Sequence, residues 1–237
     1  MGEIEKLKSF VDSFQYREKY LAAIDPKNGR YPFITISRDT GAGGHNLADA
    51  VMALIDQEKK DPLFQDWQIC DQEICSRLAR DSRLKVSRES LIVTEYRSAT
   101  EDVLSQLLTG EASQEKIARR MFAMMRDLAV YGKSIIIGRG ATCLTRNLSY
   151  GIHIRLVASL PSRISLMMKA HGKDEKWARE KIREQDRAKA AFVKNFFHKD
   201  IHDPLLYDAI WNTDRIGIDE IARILVSWIK NKAALPK

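Results

Sequence analysis

The sequence predicts an α/β domain in which helices cover a parallel β-sheet. Short apolar segments alternate with longer amphipathic ones along most of the 237 residues, the pattern of repeated strand–helix–strand units. A glycine cluster joins the first apolar segment to the helix after it. No apolar run approaches the roughly 20 residues that a membrane-spanning helix needs. Ligands of such a sheet bind at the carboxyl ends of its strands.

The elements can be assigned in chain order. Apolar side chains near helical spacing predict a helix at 3–24, ahead of the domain. PFITIS predicts the first strand and LADAVMALIDQ the next helix, and Gly132 is expected to end a helix at 113–131. The remaining strands are expected at 67–70, 134–138, 153–158 and 209–212, and the remaining helices at 72–82, 99–109, 173–195 and 218–231. Without repeats or linkers, the chain divides into a helical appendage at 1–30 and one domain at 31–237.

Composition narrows the class of protein. The formal net charge is +7, and residues 169–200 alone hold ten Lys and Arg against six Asp and Glu. A charge concentrated in one segment indicates a local anion site better than a nucleic-acid surface, which would carry a broader basic stripe. Three cysteines, an odd number, favour thiols in a reducing cytoplasm, and MGEIEKLKSF lacks the apolar core of a secretory leader.

The glycine turn between the first strand and helix is a candidate phosphate site. Its residues are Thr40, Gly41, Ala42, Gly43, Gly44, His45 and Asn46. Glycines let backbone N–H groups face inward ahead of a helix N-terminus, and together these form an anion cradle. A plain tight turn is the alternative.

The turn departs from the usual phosphate loop, G-x-x-x-x-G-K-[ST]. Gly44 stands where that loop has its lysine, and Asn46 stands at the hydroxyl position. The lysine reaches the β- and γ-phosphates and the hydroxyl holds magnesium. Arg38 and His45 flank the turn and are candidates for the missing positive charge, His45 only when it is protonated; a plain surface arginine is the alternative for Arg38.

The charged helix at 173–195 is a second candidate anion site. Arg179, Arg183, Asp186 and Arg187 share one helical face, and arginine forks bind phosphate oxygens bidentately. The alternative is a solvent-exposed helix whose charged side chains form ion pairs with one another. Histidines at 198 and 202 have helical spacing, but Pro204 interrupts any helix there, so no metal site is expected.

Several motifs, taken in order, resemble the cytidylate kinase-like proteins, relatives of bacterial cytidylate kinase among the nucleoside monophosphate kinases. The motifs run from about Phe33 to Leu225: ITISRDTGAGGHNLA, GKSIIIGRGA, IRLVASLPSRI, REQDRAKAAF and DPLLYDAIWNT. The resemblance implies a three-layer P-loop NTPase fold with a five-stranded parallel sheet and a helical lid at about 169–200. It also implies phosphoryl transfer from ATP, with Mg²⁺, to a nucleoside monophosphate, most simply a pyrimidine nucleotide such as CMP.

The resemblance also assigns roles to residues. Gly138 and Arg139 would bind the acceptor phosphate, with Asp71 and Asp186 in the acceptor half. Arg163 would bind ATP at the start of the lid. From their places beside the turn and on the charged helix, Arg38, Arg183 and Arg187 are the candidates for charge stabilisation during transfer. The family's aspartate after the acceptor arginine is here Gly140.

Two other functions remain open at this point. Gly44 and Asn46 are equally compatible with a nucleotide-binding sensor or regulatory protein without kinase turnover. A nucleic-acid binder ranks last, because no RNP, helix-turn-helix or zinc pattern occurs. The N-terminal helix is a candidate contact for a homodimer, and the sequence does not name the acceptor.

Overall fold

The computed structural model describes residues 31–71 and 112–234. Five strands form one parallel sheet in the order β2-β3-β1-β4-β5. They are β1 (Phe33–Arg38), β2 (Gln68–Cys70), β3 (Ser134–Ile137), β4 (Gly151–Val157) and β5 (Ala209–Asn212). The predicted α/β class and five-stranded parallel sheet are confirmed. With β1 in the centre, the glycine turn that follows it lies in the middle of the sheet's carboxyl edge.

Helices connect the strands. They are α1 (Gly44–Gln57), α2 (Ala112–Tyr131), α3 (Ala141–Thr145), α4 (Leu160–His171), α5 (Glu175–Phe197) and α6 (Ile218–Ala233), with short 3₁₀ turns at Pro62–Phe64 and Pro204–Leu206. Gly132 has φ +84° and ends α2 as expected. Helices α3 and α4 were not predicted, and the helices expected at 3–24, 72–82 and 99–109 lie outside the described residues.

The sheet lies between two layers of apolar side chains, one on each of its faces. Successive side chains of a strand point to opposite faces. Ile34 and Ile36 of β1 therefore pack with buried residues of α1 and α6, including Leu47 and Leu225. Phe33 packs on the other face with α2. Burial on both faces explains why the strands read as near-continuous apolar runs.

Helices α4 and α5 form a hairpin with a small core of its own. Ile164 and Met167 of α4 pack against Ala178 and Ile182 of α5. Gly172, at φ +61°, ends α4, and the carboxylate of Asp174 caps α5 by accepting from the N–H of Trp177 at 2.8 Å.

The C-terminal end of α5 is anchored to the domain. Phe192, Phe196 and Phe197 each lie with ring centroids within 5.9 Å of the ring of Phe122 on α2. The hairpin is thus attached to the domain at this end. The hairpin runs from Leu160 to Phe197 and overlaps the segment at about 169–200, for which a lid stays a prediction.

One expectation about the cysteines is wrong. Cys70 is disulfide-bonded, whereas the sequence favoured thiols throughout. An odd number of cysteines leaves at least one free thiol, but it does not exclude one disulfide bond. Cys143 is a free thiol, and burial raises its pKa to about 11.

None of the helices within the described ranges is long and apolar enough to span a bilayer.

Candidate active site

The glycine turn adopts a backbone that side chains would not tolerate. Gly41 and Gly43 have φ of +82° and +86°, in the left-handed region that glycine enters without strain. A Cβ at position 41 would lie 2.6 Å from the carbonyl oxygen of Arg163. Gly43 is the N-cap of α1 and offers no side chain to its first N–H groups. The beginning of α1 therefore has the geometry of an anion site.

A cavity of about 980 Å³ opens at the carboxyl edge of the sheet. The glycine turn forms one wall, and α4 and α5 contribute another. Most of the sequence-predicted site residues line it: Arg38, Thr40, Gly41, Gly43, Gly44, His45, Asn46, Asp71, Gly138 and Arg139. Ala42 is buried in the core beneath the turn.

Two arginines, Arg38 and Arg139, line this cavity. Neither the Arg38 nor the Arg139 side chain forms a hydrogen bond or ion pair with the part of the chain that the structure describes, and the Nε of Arg139 is buried without a partner there. Burial lowers the pKa of both groups, and the charge of Arg139 lowers that of Arg38 further, although Asp71 and Asp186 oppose this. Two neighbouring cations without a bound carboxylate have the charge to bind an anion such as phosphate.

The turn after β3 holds these arginines in place. Gly138, Arg139 and Gly140 all have positive φ, between +54° and +80°. The guanidinium carbon of Arg139 lies 5.5 Å from the ring centroid of Phe192 on α5. A Cβ at Gly140 would come 2.2 Å from Phe197, so this turn and the end of α5 are closely packed.

Asp186 ties α5 to the glycine turn. Its Oδ1 accepts from the N–H of Thr40 at 2.8 Å and from the Thr40 hydroxyl at 2.7 Å. Its Oδ2 accepts from Arg163 at 2.6 Å. Burial alone would raise the pKa of Asp186, but these bonds outweigh it and lower the pKa. The carboxylate is thus ionised and holds α4, α5 and the turn together.

Lys189 belongs to the same group and was missed by sequence reasoning. Its Nζ donates to the Thr40 hydroxyl at 2.5 Å and lies 3.4 Å from Oδ1 of Asp186. It lines the cavity. Burial, and then the charge of Arg38, lower its pKa to about 8. The sequence signal that could have found it is its position three residues after Asp186, because residues three apart are neighbours on the surface of a helix.

A second missed residue, Arg155, supports the turn from below. It is 4% exposed, and its Nη2 lies 2.6 Å from Oδ1 of Asp39, the residue before Thr40. Its Nη1 donates to Ser37 at 3.1 Å. Because a buried guanidinium needs such partners, Asp39 is held at the entry to the turn as a structural counter-charge.

Other predicted residues have different surroundings. Arg183 and Arg187 are exposed on α5 and are not among the cavity-lining residues. Arg163 contacts the turn through Asp186 and the Thr40 carbonyl. Asp186 lies at the glycine turn instead of beside Gly138, so its acceptor role stays a prediction.

His45 does not supply the expected charge near neutral pH. Its Nε2 lies 3.7 Å from Oδ2 of Asp71. Burial and then the charge of Arg38 lower its pKa, against the opposing effect of Asp71. Because its ordinary pKa is already below 7, His45 is mainly neutral at pH 7.

The oxygen donors around the cavity fit magnesium better than a transition metal. Asp71 and Asn46 offer a carboxylate and an amide oxygen in one cavity. Within the described ranges there is no group of three or more His, Cys, Asp or Glu that could hold a metal. Mg²⁺ commonly takes one or two carboxylates and relies on phosphates and water for its other ligands, so this donor set suits Mg²⁺ that arrives with a nucleotide.

Comparisons with known proteins agree with this architecture. The sequence model of the cytidylate kinase-like family matches residues 33–215. The crystal structure of an uncharacterized protein from Eubacterium ventriosum aligns with a TM-score of 0.61 at 18% identity, covering 84% of this chain and 98% of the other. TT1252 from Thermus thermophilus aligns with a TM-score of 0.43 at 12% identity, covering 85% and 98%. No curated protein sequence gives a significant match. The first alignment shows the fold alone.

Proposed function

Because the chain belongs to the cytidylate kinase-like family, we propose that it transfers the γ-phosphoryl group of ATP to a nucleoside monophosphate. A pyrimidine acceptor such as CMP is the first to test. Membership supports a kinase-like phosphotransferase at the level of the family. The observation that carries the proposal is the pair Arg38 and Arg139, two guanidiniums without described partners in the same cavity as the glycine turn.

The donor triphosphate would bind at the glycine turn. The first N–H groups of α1 and the positive end of its dipole attract anions there. The cavity volume of about 980 Å³ lies near the upper end of the range for small-molecule sites. It is therefore compatible with a donor and an acceptor bound side by side.

The acceptor phosphate would bind Arg139. Its planar fork can hold two phosphate oxygens at once, and the buried, unpartnered Nε gives it a donor to satisfy. Arg38 lies between Gly44 of the donor turn and Gly138 of the acceptor turn. That position suits a cation that contacts the transferring group.

Phosphoryl transfer depends on positioning and charge more than on a covalent nucleophile. Arg38 and Arg139 would hold the two substrates in line, and the closure of α4 and α5 over the cavity would exclude water. Mg²⁺, held by Asp71 and Asn46 with the phosphates, would neutralise charge on the β- and γ-phosphates. The exposed Arg183 and Arg187 keep their roles as predictions.

A coupled assay with ATP, Mg²⁺ and a panel of nucleoside monophosphates tests the proposal. We expect turnover with at least one acceptor and its loss on chelation of Mg²⁺. Arg139→Met should abolish most of this turnover, whereas Arg223→Met, an exposed arginine on α6, should not change it. Tight ATP binding without transfer to any acceptor would support the sensor function instead.

A further inference from the structure

A lysine at position 44 of the glycine turn would press against the side chain of Arg38. A Cβ at position 44 would lie 3.0 Å from Cγ and 3.2 Å from Cδ of Arg38. Contacts that short would force the Arg38 stem to shift. The stem of Arg38 therefore packs against position 44, and this chain brings an ammonium to the turn from another element.

Lys189 reaches the turn from outside the turn's own sequence. Its ammonium contacts the hydroxyl of Thr40, the first residue of the turn, and its side chain lines the cavity beside the glycines. The side chain is 25% exposed. Asp186, one helical turn before it, holds both Lys189 and Thr40.

We propose that Lys189 supplies from α5 the phosphate-binding ammonium that other phosphate loops carry within the loop itself. The identity of the phosphate ligand as a nucleoside triphosphate rests on the proposed function. Any polyphosphate seated on the turn would meet the same ammonium.

Other cations near the turn fit this role less well. Arg163 bonds Asp186 and the Thr40 carbonyl, but unlike Lys189 it is not among the cavity-lining residues. Lys169 lines the cavity but is exposed. Lys189 combines contact with the turn, partial burial and access to the cavity.

The surroundings of Lys189 also favour anion binding. Arg38 lies near enough to depress its pKa, while Asp186 and Asp39 raise it, and burial has the largest effect. A phosphate anion beside the ammonium would raise this pKa again and stabilise the charged form. Because the cation belongs to α5, the turn carries it only while α5 is docked, which links the position of the helix to phosphate binding.

Titration calorimetry with tripolyphosphate and with ATP tests the proposal on the full chain. We expect Lys189→Met to weaken both ligands about 10- to 100-fold, the effect of losing a charge-assisted hydrogen bond. Lys189→Arg should recover most of that loss. Lys194→Met, an exposed lysine on the same helix, is the matched control and should bind as the unmodified chain does. Unchanged binding by Lys189→Met would overturn the proposal.

A measurement on the unmodified protein covers the case in which Lys189→Met does not fold. Acetic anhydride labels exposed amines, and mass spectrometry reports the rate at each lysine. Tripolyphosphate should slow the labelling of Lys189 and leave Lys194 unchanged; an unaffected rate at Lys189 would overturn the proposal.

A double variant addresses position 44 directly. Gly44→Lys would press its Cβ against the Arg38 stem, so we expect it to restore at most part of the binding that Lys189→Met loses. These binding results are independent of turnover. Lys189-dependent binding without transfer would contradict the proposed function alone, and transfer without dependence on Lys189 would contradict this inference alone.

Discussion

The guanidinium of Arg38 lies directly against the backbone of Gly138. A Cβ at position 138 would come 2.1 Å from Nη1 of Arg38. The central strand β1 and its neighbour β3 thus place an arginine and a glycine in contact at their carboxyl ends. The glycine keeps open the space that the guanidinium occupies.

Gly138→Ala should separate a backbone effect from a functional one. At φ +80° an alanine costs about 1–2 kcal/mol of stability, and its methyl group would push Arg38 out of place. We expect phosphate affinity to fall at least tenfold, measured by calorimetry with tripolyphosphate.

Gly172→Ala is the matched control for that variant. Gly172 also has positive φ, at +61°, but nothing lies within 4 Å of the place of its Cβ. It should show a similar loss of stability in urea and no loss of affinity. Equal losses of affinity in both variants would refute the argument.

Arg139→Lys should damage acceptor binding specifically. Lysine keeps the charge but loses the planar fork that binds two phosphate oxygens. We expect the KM for the acceptor to rise about tenfold or more with little change in the KM for ATP, in steady-state kinetics. Arg223→Lys, on the exposed face of α6, should leave both constants unchanged. A rise confined to the KM for ATP would reverse the two assigned halves of the cavity.

Asp186→Asn should loosen α5 from the glycine turn. The amide keeps the shape of the side chain, but its NH₂ group would face donors such as Arg163. The substitution removes a charged acceptor of several hydrogen bonds. We therefore expect the free energy of unfolding to fall by about 1–3 kcal/mol. Hydrogen exchange at the Thr40 amide, bonded to Asp186 at 2.8 Å, should speed up. Glu184→Gln, exposed on the same helix, should leave that exchange rate unchanged.

His153 should make the fold sensitive to acid. Its Nδ1 lies 2.8 Å from the Thr35 hydroxyl, and its buried Nε2 has no partner among the described residues. Burial lowers its pKa from 6.5 to about 4, although Asp208 opposes this effect. Between these two values the unfolded chain binds the proton more readily, so stability should fall as pH drops from 6.5 towards 4.

Urea unfolding at several pH values measures this dependence. His153→Asn should flatten the curve in that window, whereas His171→Asn, on the exposed end of α4, should keep its slope. An unchanged slope in His153→Asn would assign the acid sensitivity to other groups.

Much of the fold could be predicted because buried parallel strands have a simple sequence pattern. The apolar runs at β1, β3 and β4 and the glycine turn after β1 gave the sheet and its ligand edge. Helix α3 has only five residues, too few for helical periodicity to show. Helix α4 opens with Leu160 and Pro161, and proline in the first turn is a helix-start signal that the expected elements did not include.

The site was harder to predict, because the orientation of α5 decides which cations face the turn. The arginines at 179, 183 and 187 share a face, but the apolar residues Ala178, Ile182 and Val193 define the buried side. Lys189 belongs to that side, and Arg183 and Arg187 remain exposed. The partners Thr40 and Lys189 are 149 residues apart, a separation that no local pattern reveals.

The bond between Thr40 and Asp186 also has a consequence for protein synthesis. The two residues are 146 positions apart, so at about 5–20 residues per second the ribosome needs roughly 7–30 s to make the second after the first. Both neighbours of the central strand β1 are likewise made later than β1 itself. The glycine turn therefore leaves the ribosome long before the helix that completes it, and the nascent chain can assemble the candidate phosphate site only after α5 has been made.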